Sequence, residues 1–195
     1  MSLWNRLFRP VEEDVTVLIE KVMAPGESIT LDRDGLITVG CEFPIKLQFL
    51  LAGSWYQPYG SRNMALSRLI SSIKGGEAMV VNTDTGYSRR IIVLYSPLGR
   101  VYGWTGTKTL YDGYITGESY VTLNESGLCM LYFNGNSAPT VQIYSSYGWL
   151  PVMLSGYDPI LNNYDYSLFL SLAGRTRVGY ESGYYGYIKV VKLIF

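Results

Sequence analysis

The sequence predicts an all-β protein: an antiparallel, jelly-roll-like β-sandwich with one inserted helix and a short amphipathic N-terminal arm. From Ala78 to Phe133 the chain repeats one unit, a short run of β-forming residues followed by a turn that contains Gly or Pro. About ten to twelve such strand candidates follow one another along the chain. Of the 195 residues, 48% are hydrophobic and only 16% are charged, which suits one domain with a large core.

The first ten residues have the pattern of an amphipathic arm, and residues 11–195 are expected to form the single sandwich domain. Trp4, Leu7 and Phe8 recur at helical spacing, and Pro10 ends the segment. Such an arm could anchor the chain to a neighbouring subunit, or make weak contact with an anionic membrane surface. Alternatively, it folds back onto its own domain.

Alternating hydrophobic residues predict the first strands of the sandwich. In 14–24 the residues of one face are Val15, Val17 and Ile19. In 36–43 they are Ile37, Val39, Cys41 and Phe43, and in 45–52 they are Ile45, Leu47, Phe49 and Leu51. A period of two places each set on one side of a strand, so we expect each set to face the core.

One helix is predicted near 63–74, after an aromatic loop at 53–63. Its apolar residues are spaced i, i+3, i+4 and i+7, and the Gly75-Gly76 pair would end it. These residues are Leu66, Leu69, Ile70 and Ile73. The helix would be an insertion that closes one end of the β-structure.

Two patterns stand out in the repeating stretch. Residues 88–96 are apolar on both parities, which indicates a strand that is covered on both faces. Residues 118–124 alternate and are followed by Glu125-Ser126-Gly127 and another apolar run at 128–133, which predicts a hairpin.

The last third of the chain continues the β-pattern, with strands expected near 139–145, 148–154, 166–172 and 184–195. The segments that begin at Gly156 and Gly174 are rich in Gly, Asn, Asp and Tyr, and have the composition of loops. Phe195 ends an apolar strand, so we expect it to be covered by a sheet or by an interface.

The sequence has no histidine, which excludes Ser-His and Cys-His nucleophile pairs and His-liganded metal centres. Nucleotide-binding glycine loops and the nucleophile elbow are also absent, so neither catalytic residues nor a cofactor or metal is expected. A formal net charge of zero gives no long-range attraction to phosphate, and binding of nucleic acid is not expected. Cys41 and Cys129 are interpreted as buried thiols or, alternatively, as a disulfide between neighbouring strands.

Aromatic residues in loops offer a binding surface. A platform of tryptophan and tyrosine could stack on a glycan, or could form a subunit interface, where both residue types are enriched. The candidates are Trp55, Tyr56, Tyr59, Trp104 and Tyr111.

Acidic residues beside the aromatic loops leave two further alternatives open. Two carboxylates could serve a histidine-independent glycosidase, with candidates Asp112, Glu118, Asp158, Asp165 and Glu181. Oxygen ligands crowded into one loop could bind calcium, with candidates Asp158, Asn162, Asn163 and Asp165. Ordinary turn chemistry accounts for the same residues.

In architecture and composition the chain resembles the single jelly-roll capsid proteins of icosahedral viruses. The shared features are a sandwich across Val11 to Phe195, an N-terminal arm, and a surface with little charge. A chain with 18 Tyr, 21 Gly and no histidine is also similar to structural proteins of viruses that infect hot-spring archaea. The number of strand candidates exceeds the eight of a simple jelly roll.

This resemblance implies a structural subunit of a viral shell or vertex that assembles in the host cytoplasm and ends up in the virion. It would be a homo-oligomer that also contacts other virion proteins, and not an enzyme. Its anchors would be Trp4, Leu7, Phe8 and Phe195. The alternative is a carbohydrate-binding β-sandwich, lectin-like or part of an attachment device.

Overall fold

The computed structural model describes residues 15–56, 71–97, 104–152 and 166–195, and in these ranges every paired strand is antiparallel and no helix occurs. The strands are β1 (Thr16–Met23), β2 (Ser28–Leu31), β3 (Gly35–Cys41), β4 (Ile45–Leu51), β5 (Ser54–Tyr56), β6 (Ser71–Ile73), β7 (Ala78–Asn82), β8 (Arg89–Ser96), β9 (Gly106–Thr116), β10 (Tyr120–Leu123), β11 (Gly127–Gly135), β12 (Thr140–Ser145), β13 (Gly148–Val152), β14 (Tyr166–Ser171), β15 (Thr176–Gly179) and β16 (Tyr185–Ile194). The predicted antiparallel all-β class is confirmed.

The strands form three sheets. The central sheet has the order β1-β8-β3-β13-β12-β15-β10, with β6 also paired to β3. The N-terminal sheet has the order β2-β7-β4-β5, and the C-terminal sheet has the order β14-β11-β16-β9. The predicted sandwich is therefore extended by a third sheet.

Strand β8 shows how the layers stack. Ile91 and Val93 belong to the core shared with the N-terminal sheet, whereas Ile92 and Leu94 belong to the core shared with the C-terminal sheet. Successive side chains of a strand point to opposite faces. The central sheet is therefore covered on both sides at β8, as the apolar run on both parities predicts.

Farther along the central sheet, no described strand covers one of the two faces. On β12, β13 and β15 the residues Val141, Leu150 and Val178 are buried against the C-terminal sheet. Their neighbours Gln142 and Arg177 are less buried and lie on the opposite face. This half of the sheet has the buried and open alternation of a two-layer sandwich.

The predicted hairpin at 118–133 is wrong. Strand β10 pairs with β15 in the central sheet, whereas β11 pairs with β14 and β16 in the C-terminal sheet. Gly127, at a φ of 144° that favours glycine, begins the strand that follows this crossing. Leu123 and Leu128 still share one core, because they pack into it from opposite sheets. The alternation identified the buried face of each strand but not its partner.

The predicted helix near 63–74 is not found in the part that the structure describes. Ser71–Ile73 instead form β6, which pairs with Gly35–Ile37 of β3, and residues 57–70 lie outside the described residues. Ile73, expected on the apolar face of the helix, is buried in the N-terminal core. An apolar residue at helical spacing can equally supply one inward position of a short strand.

Two residues expected in the core are exposed. Phe43 is 58% exposed because β3 ends at Cys41 and the chain turns, with the Ile45 amide donating to the Glu42 carbonyl over 3.2 Å. Leu51 is 59% exposed at the last position of β4, where Ala52 and Gly53 turn the chain with positive φ. Phe43 thus lies beyond the end of its strand, and Leu51 is the last residue of its strand.

The two cysteines are buried thiols, as the first interpretation holds, and no disulfide joins them. Cys41 belongs to the N-terminal core and Cys129 to the C-terminal core. Burial raises the pKa of the Cys41 thiol to about 12. This thiol is therefore a small hydrophobic residue rather than a nucleophile.

Candidate functional site

The outer face of the C-terminal sheet carries a cluster of exposed tyrosines, which we term the tyrosine face. Its members are between 37% and 60% exposed and come from three adjacent strands. They are Tyr114 on β9, Tyr132 on β11, and Tyr185 and Tyr187 on β16. Tyr187 pairs with Tyr114 in the antiparallel register, so their side chains lie on the same face.

A small polar network holds part of the tyrosine face in place. The Tyr187 hydroxyl donates a hydrogen bond to Asp112, whose other carboxylate oxygen lies 3.1 Å from Lys189 Nζ. The bond from Tyr187, followed by the contact with Lys189, lowers the pKa of Asp112. The Tyr114 and Tyr185 rings lie 6.1 Å apart, within the range of a favourable aromatic pair. This surface is thus a partly ordered aromatic patch.

Glycines occupy the opposite face of the same strands. Gly135 and Gly186 pair with each other, and a Cβ at Gly186 would collide with the Tyr180 hydroxyl. Tyr180 itself is only 1% exposed. The glycines therefore provide the space in which the Tyr180 side chain packs beneath the tyrosine face.

The Tyr180 hydroxyl has no hydrogen-bond partner among the described residues. Burial raises the pKa of Tyr180 to about 12.

The tyrosine face ends at β9, which is paired only with β16 among the described strands. At 11 residues β9 is the longest strand of the described part. An edge strand presents amide and carbonyl groups that can pair with another chain. The aromatic patch and this edge are therefore contiguous.

A second aromatic surface lies on the open face of the central sheet, around Arg177 of β15. The guanidinium carbon lies 4.2 Å from the centre of the Tyr120 ring and 4.1 Å from that of Trp149. Arg177 Nε donates to Gln142 Oε1 over 2.7 Å, which fixes the orientation of the guanidinium plane. Desolvation lowers the pKa of Arg177, although a guanidinium stays charged at neutral pH.

Beside Arg177 lies an open cavity of about 560 Å³, which we term the arginine cleft. Its lining residues come from two turns and two edge-proximal strands of the central sheet. They are Glu118, Tyr120, Arg177, Glu181 and Ser182. One cation, two carboxylates, the Ser182 hydroxyl and the phenol ring of Tyr120 thus share a single open surface.

The five residues predicted as an aromatic platform do not form one cluster. Trp55 and Tyr56 lie on β5 of the N-terminal sheet and are exposed, whereas Trp104 precedes β9 of the C-terminal sheet. Tyr111 is partly buried against the core beneath that sheet, and Tyr59 lies outside the described residues. The two outer sheets cover opposite faces of the central sheet, which separates these positions.

Of the predicted anchors, the structure places only Phe195, which packs partly buried against the C-terminal core. Trp4, Leu7 and Phe8 lie outside the described residues.

The carboxylate candidates divide among three places. Asp112 belongs to the network of the tyrosine face, whereas Glu118 and Glu181 line the arginine cleft together. Asp158 and Asp165, with the rest of the calcium candidate, lie outside the described residues. Within the described ranges no cluster of three or more acidic or cysteine side chains could hold a metal ion, and no helix is long and apolar enough to span a bilayer.

The residues at the centre of the arginine cleft were missed from the sequence. The segment that begins at Gly174 was interpreted as a loop because of its glycines and tyrosines, but Thr176–Gly179 form β15. The alternation of Thr176, Arg177 and Val178, buried on either side of the arginine, was the available signal. The aromatic partners Tyr120 and Trp149 come from strands that were predicted, but their proximity depends on strand order.

The comparisons with known proteins give no family. No protein-family model matches the chain, and no curated protein matches it. Among solved structures the chain is similar to an IolB-like protein from Salmonella typhimurium LT2, with 16% sequence identity and a TM-score of 0.27. That alignment covers 100% of this chain and 87% of the other. A TM-score this low carries no argument about function.

Proposed function

We propose that this protein is a structural subunit that assembles with copies of itself, as a component of a viral shell or vertex, and is not an enzyme. The observation that carries the proposal is the tyrosine face. Four exposed tyrosines on adjacent strands form one surface at the edge of a sheet. Tyrosine supplies large contact area with little loss of side-chain entropy, and it is enriched at protein interfaces.

The sheet beneath the tyrosine face supports this role. Residues Ile188 and Val190 of β16 alternate with the outward residues and are fully buried in the C-terminal core. The patch is therefore held on a rigid layer, so that little ordering is needed when a second subunit binds.

The contiguous edge of β9 offers a second element of the same contact. Its backbone groups could pair with a strand of a neighbouring copy, while the tyrosines bury apolar surface beside that pairing. Such a contact, combined with further contacts between copies at other surfaces, would produce a closed symmetric shell to which other virion proteins bind. The virion is accordingly the proposed location.

The oligomeric state of variants tests this proposal. We expect the wild-type protein to elute as a large assembly in size-exclusion chromatography with light scattering. A Tyr114→Ser/Tyr187→Ser double variant should shift to monomer or small oligomers, because these two residues lie opposite each other in the face on β9 and β16. Tyr87→Ser is the matched control, since Tyr87 is 70% exposed on a turn of a different sheet and should leave assembly unchanged.

A wild-type protein that stays monomeric at high concentration would contradict the proposal. So would assembly that is unaffected by the double variant.

A further inference from the structure

We propose that the arginine cleft is a binding site for a neutral saccharide, recognised through its hydroxyl groups. This inference is independent of the proposed assembly, because the cleft lies on the open face of the central sheet and shares no residue with the tyrosine face. The site also differs from the aromatic platform that the sequence suggests.

The first argument is the complementarity of donors and acceptors. Arg177 offers only donors, and one of them is already used by Gln142. Its terminal Nη1 and Nη2 groups have no hydrogen-bond acceptor among the described residues, and the rings of Tyr120 and Trp149 lie within 4.2 Å of the guanidinium carbon. Glu118 and Glu181 offer only acceptors when ionised. A sugar hydroxyl both donates and accepts, so adjacent hydroxyls can satisfy both kinds of group at once.

The second argument is charge. One guanidinium and two carboxylates line the cleft, so the lining carries a formal charge of minus one. The net negative charge would repel an anionic ligand, and the described lining has no cluster of cations that could bind a phosphate. A neutral ligand would not be repelled. The Tyr120 ring provides an apolar surface of the kind that packs against the C–H groups of a sugar.

The third argument is the backbone at Glu118. Glu118 has a φ of 49°, in the left-handed region that glycine and asparagine adopt more readily. A glutamate at such a position is strained, and strain of this kind concentrates at binding sites. A glycine at position 118 would adopt this φ without strain, but it would not supply a carboxylate. Glu118 supplies that carboxylate to the cleft.

The fourth argument is the fixed turn that carries Glu181 and Ser182. The turn is closed by the Tyr184 amide, which donates to the Glu181 carbonyl over 3.2 Å. Asn136 holds its far side, accepting from the Tyr185 amide at 2.7 Å and donating to the Gly183 carbonyl at 3.4 Å. The backbone that carries Glu181 and Ser182 is therefore ordered before a ligand arrives, which reduces the entropic cost of binding.

A glycan array of neutral, sialylated and sulfated saccharides tests the inference, followed by titration of the neutral saccharide that gives the strongest signal. Fluorescence of the tryptophans reports binding, because Trp149 contacts Arg177. We expect Glu181→Gln to weaken binding about tenfold, as it replaces a charge-assisted hydrogen bond by a neutral one. Glu77→Gln changes a carboxylate in the turn between β6 and β7 that pairs with Lys74; it is the control and should bind like the wild type.

Glu118→Asn separates a binding role from a structural one. The expected result is weaker binding together with a melting temperature that is about 2 °C higher, because asparagine tolerates positive φ. The inference is overturned if no neutral saccharide binds, if acidic glycans bind better than neutral ones, or if Glu181→Gln has no effect. It is equally overturned if Trp55→Ala, rather than Glu181→Gln, abolishes the binding.

Discussion

On the outer face of the C-terminal sheet four tyrosines stand in solvent, whereas on its inner face Tyr180 lies buried against two glycines. The sequence Tyr185-Gly186-Tyr187 contributes to both faces, since its tyrosines point outward and its glycine points inward. Gly135 and Gly186 leave space for Tyr180 in the core, whereas the alternation of side chains along each strand places the four outer tyrosines on the exposed face. The same residue type thus fills the core on one side and forms a contact surface on the other.

The difference shows that exposure of the tyrosine face is not a consequence of poor packing. The inner side is filled to the point that no Cβ fits at Gly186, and Ile188 beside it is fully buried. Because the inner face is well packed, folding of the sheet does not require aromatic residues on its outer face. This contrast is consistent with the proposal that the outward tyrosines form a contact surface.

The largest effect is expected from filling the glycine space. Gly186→Ala would place a methyl group 2.7 Å from the Gly135 Cα and 2.8 Å from the Asn134 carbonyl oxygen, so that backbone has to move. We expect a loss of about 3 kcal/mol in the free energy of unfolding, as for other overpacked cores. Gly106→Ala, on a strand of the same sheet with nothing within 4 Å, is the matched control.

Denaturant unfolding measures both variants. A loss of stability in Gly186→Ala that is no larger than in Gly106→Ala would contradict the described packing of Tyr180.

A smaller effect, of opposite sign, is expected from removing the buried hydroxyl. Because the Tyr180 hydroxyl has no partner in the described part of the chain, Tyr180→Phe should raise the free energy of unfolding by about 1 kcal/mol. Tyr187→Phe is the outer-face control, and it should lose the hydrogen bond to Asp112 without such a gain. If both substitutions changed the free energy of unfolding equally, the proposed difference between the buried and the exposed tyrosine would be contradicted.

The pH dependence of stability sharpens the same contrast. The folded pKa of Tyr180 is raised to about 12, above the ordinary value of about 10 for tyrosine. Its neutral form is therefore favoured in the folded protein, so the stability present below pH 10 is lost as the pH rises through 12. The wild type should lose more stability than Tyr180→Phe across this window, as measured by denaturant unfolding at each pH.

The sequence predicts the β class and the buried faces well, because alternation follows directly from the geometry of a strand. It predicts β8 as a doubly covered strand from residues such as Ile91 and Ile92, which fill two different cores. Pairing is harder: β10 and β11 are adjacent in sequence but belong to different sheets. The local sequence does not show which strands pair, because β10 and β11 pair with strands that are distant in sequence.

The candidate surfaces illustrate the same limit. Gly186 lies inside the strand predicted near 184–195, but nothing in the local pattern shows that it makes room for Tyr180. Arg177 acquires its aromatic neighbours Tyr120 and Trp149 from strands 57 and 28 positions earlier in the chain. Composition identifies the abundance of tyrosine, but only the strand order shows which tyrosines share a surface.

The most direct test of the tyrosine face is tyrosine nitration by tetranitromethane, read by mass spectrometry on dilute and on assembled protein. The account predicts that Tyr114, Tyr132, Tyr185 and Tyr187 react in the dilute protein and become protected on assembly, while Tyr87 stays reactive in both. Equal reactivity of all five tyrosines in the assembled protein would contradict the claim that copies of this chain meet through that face.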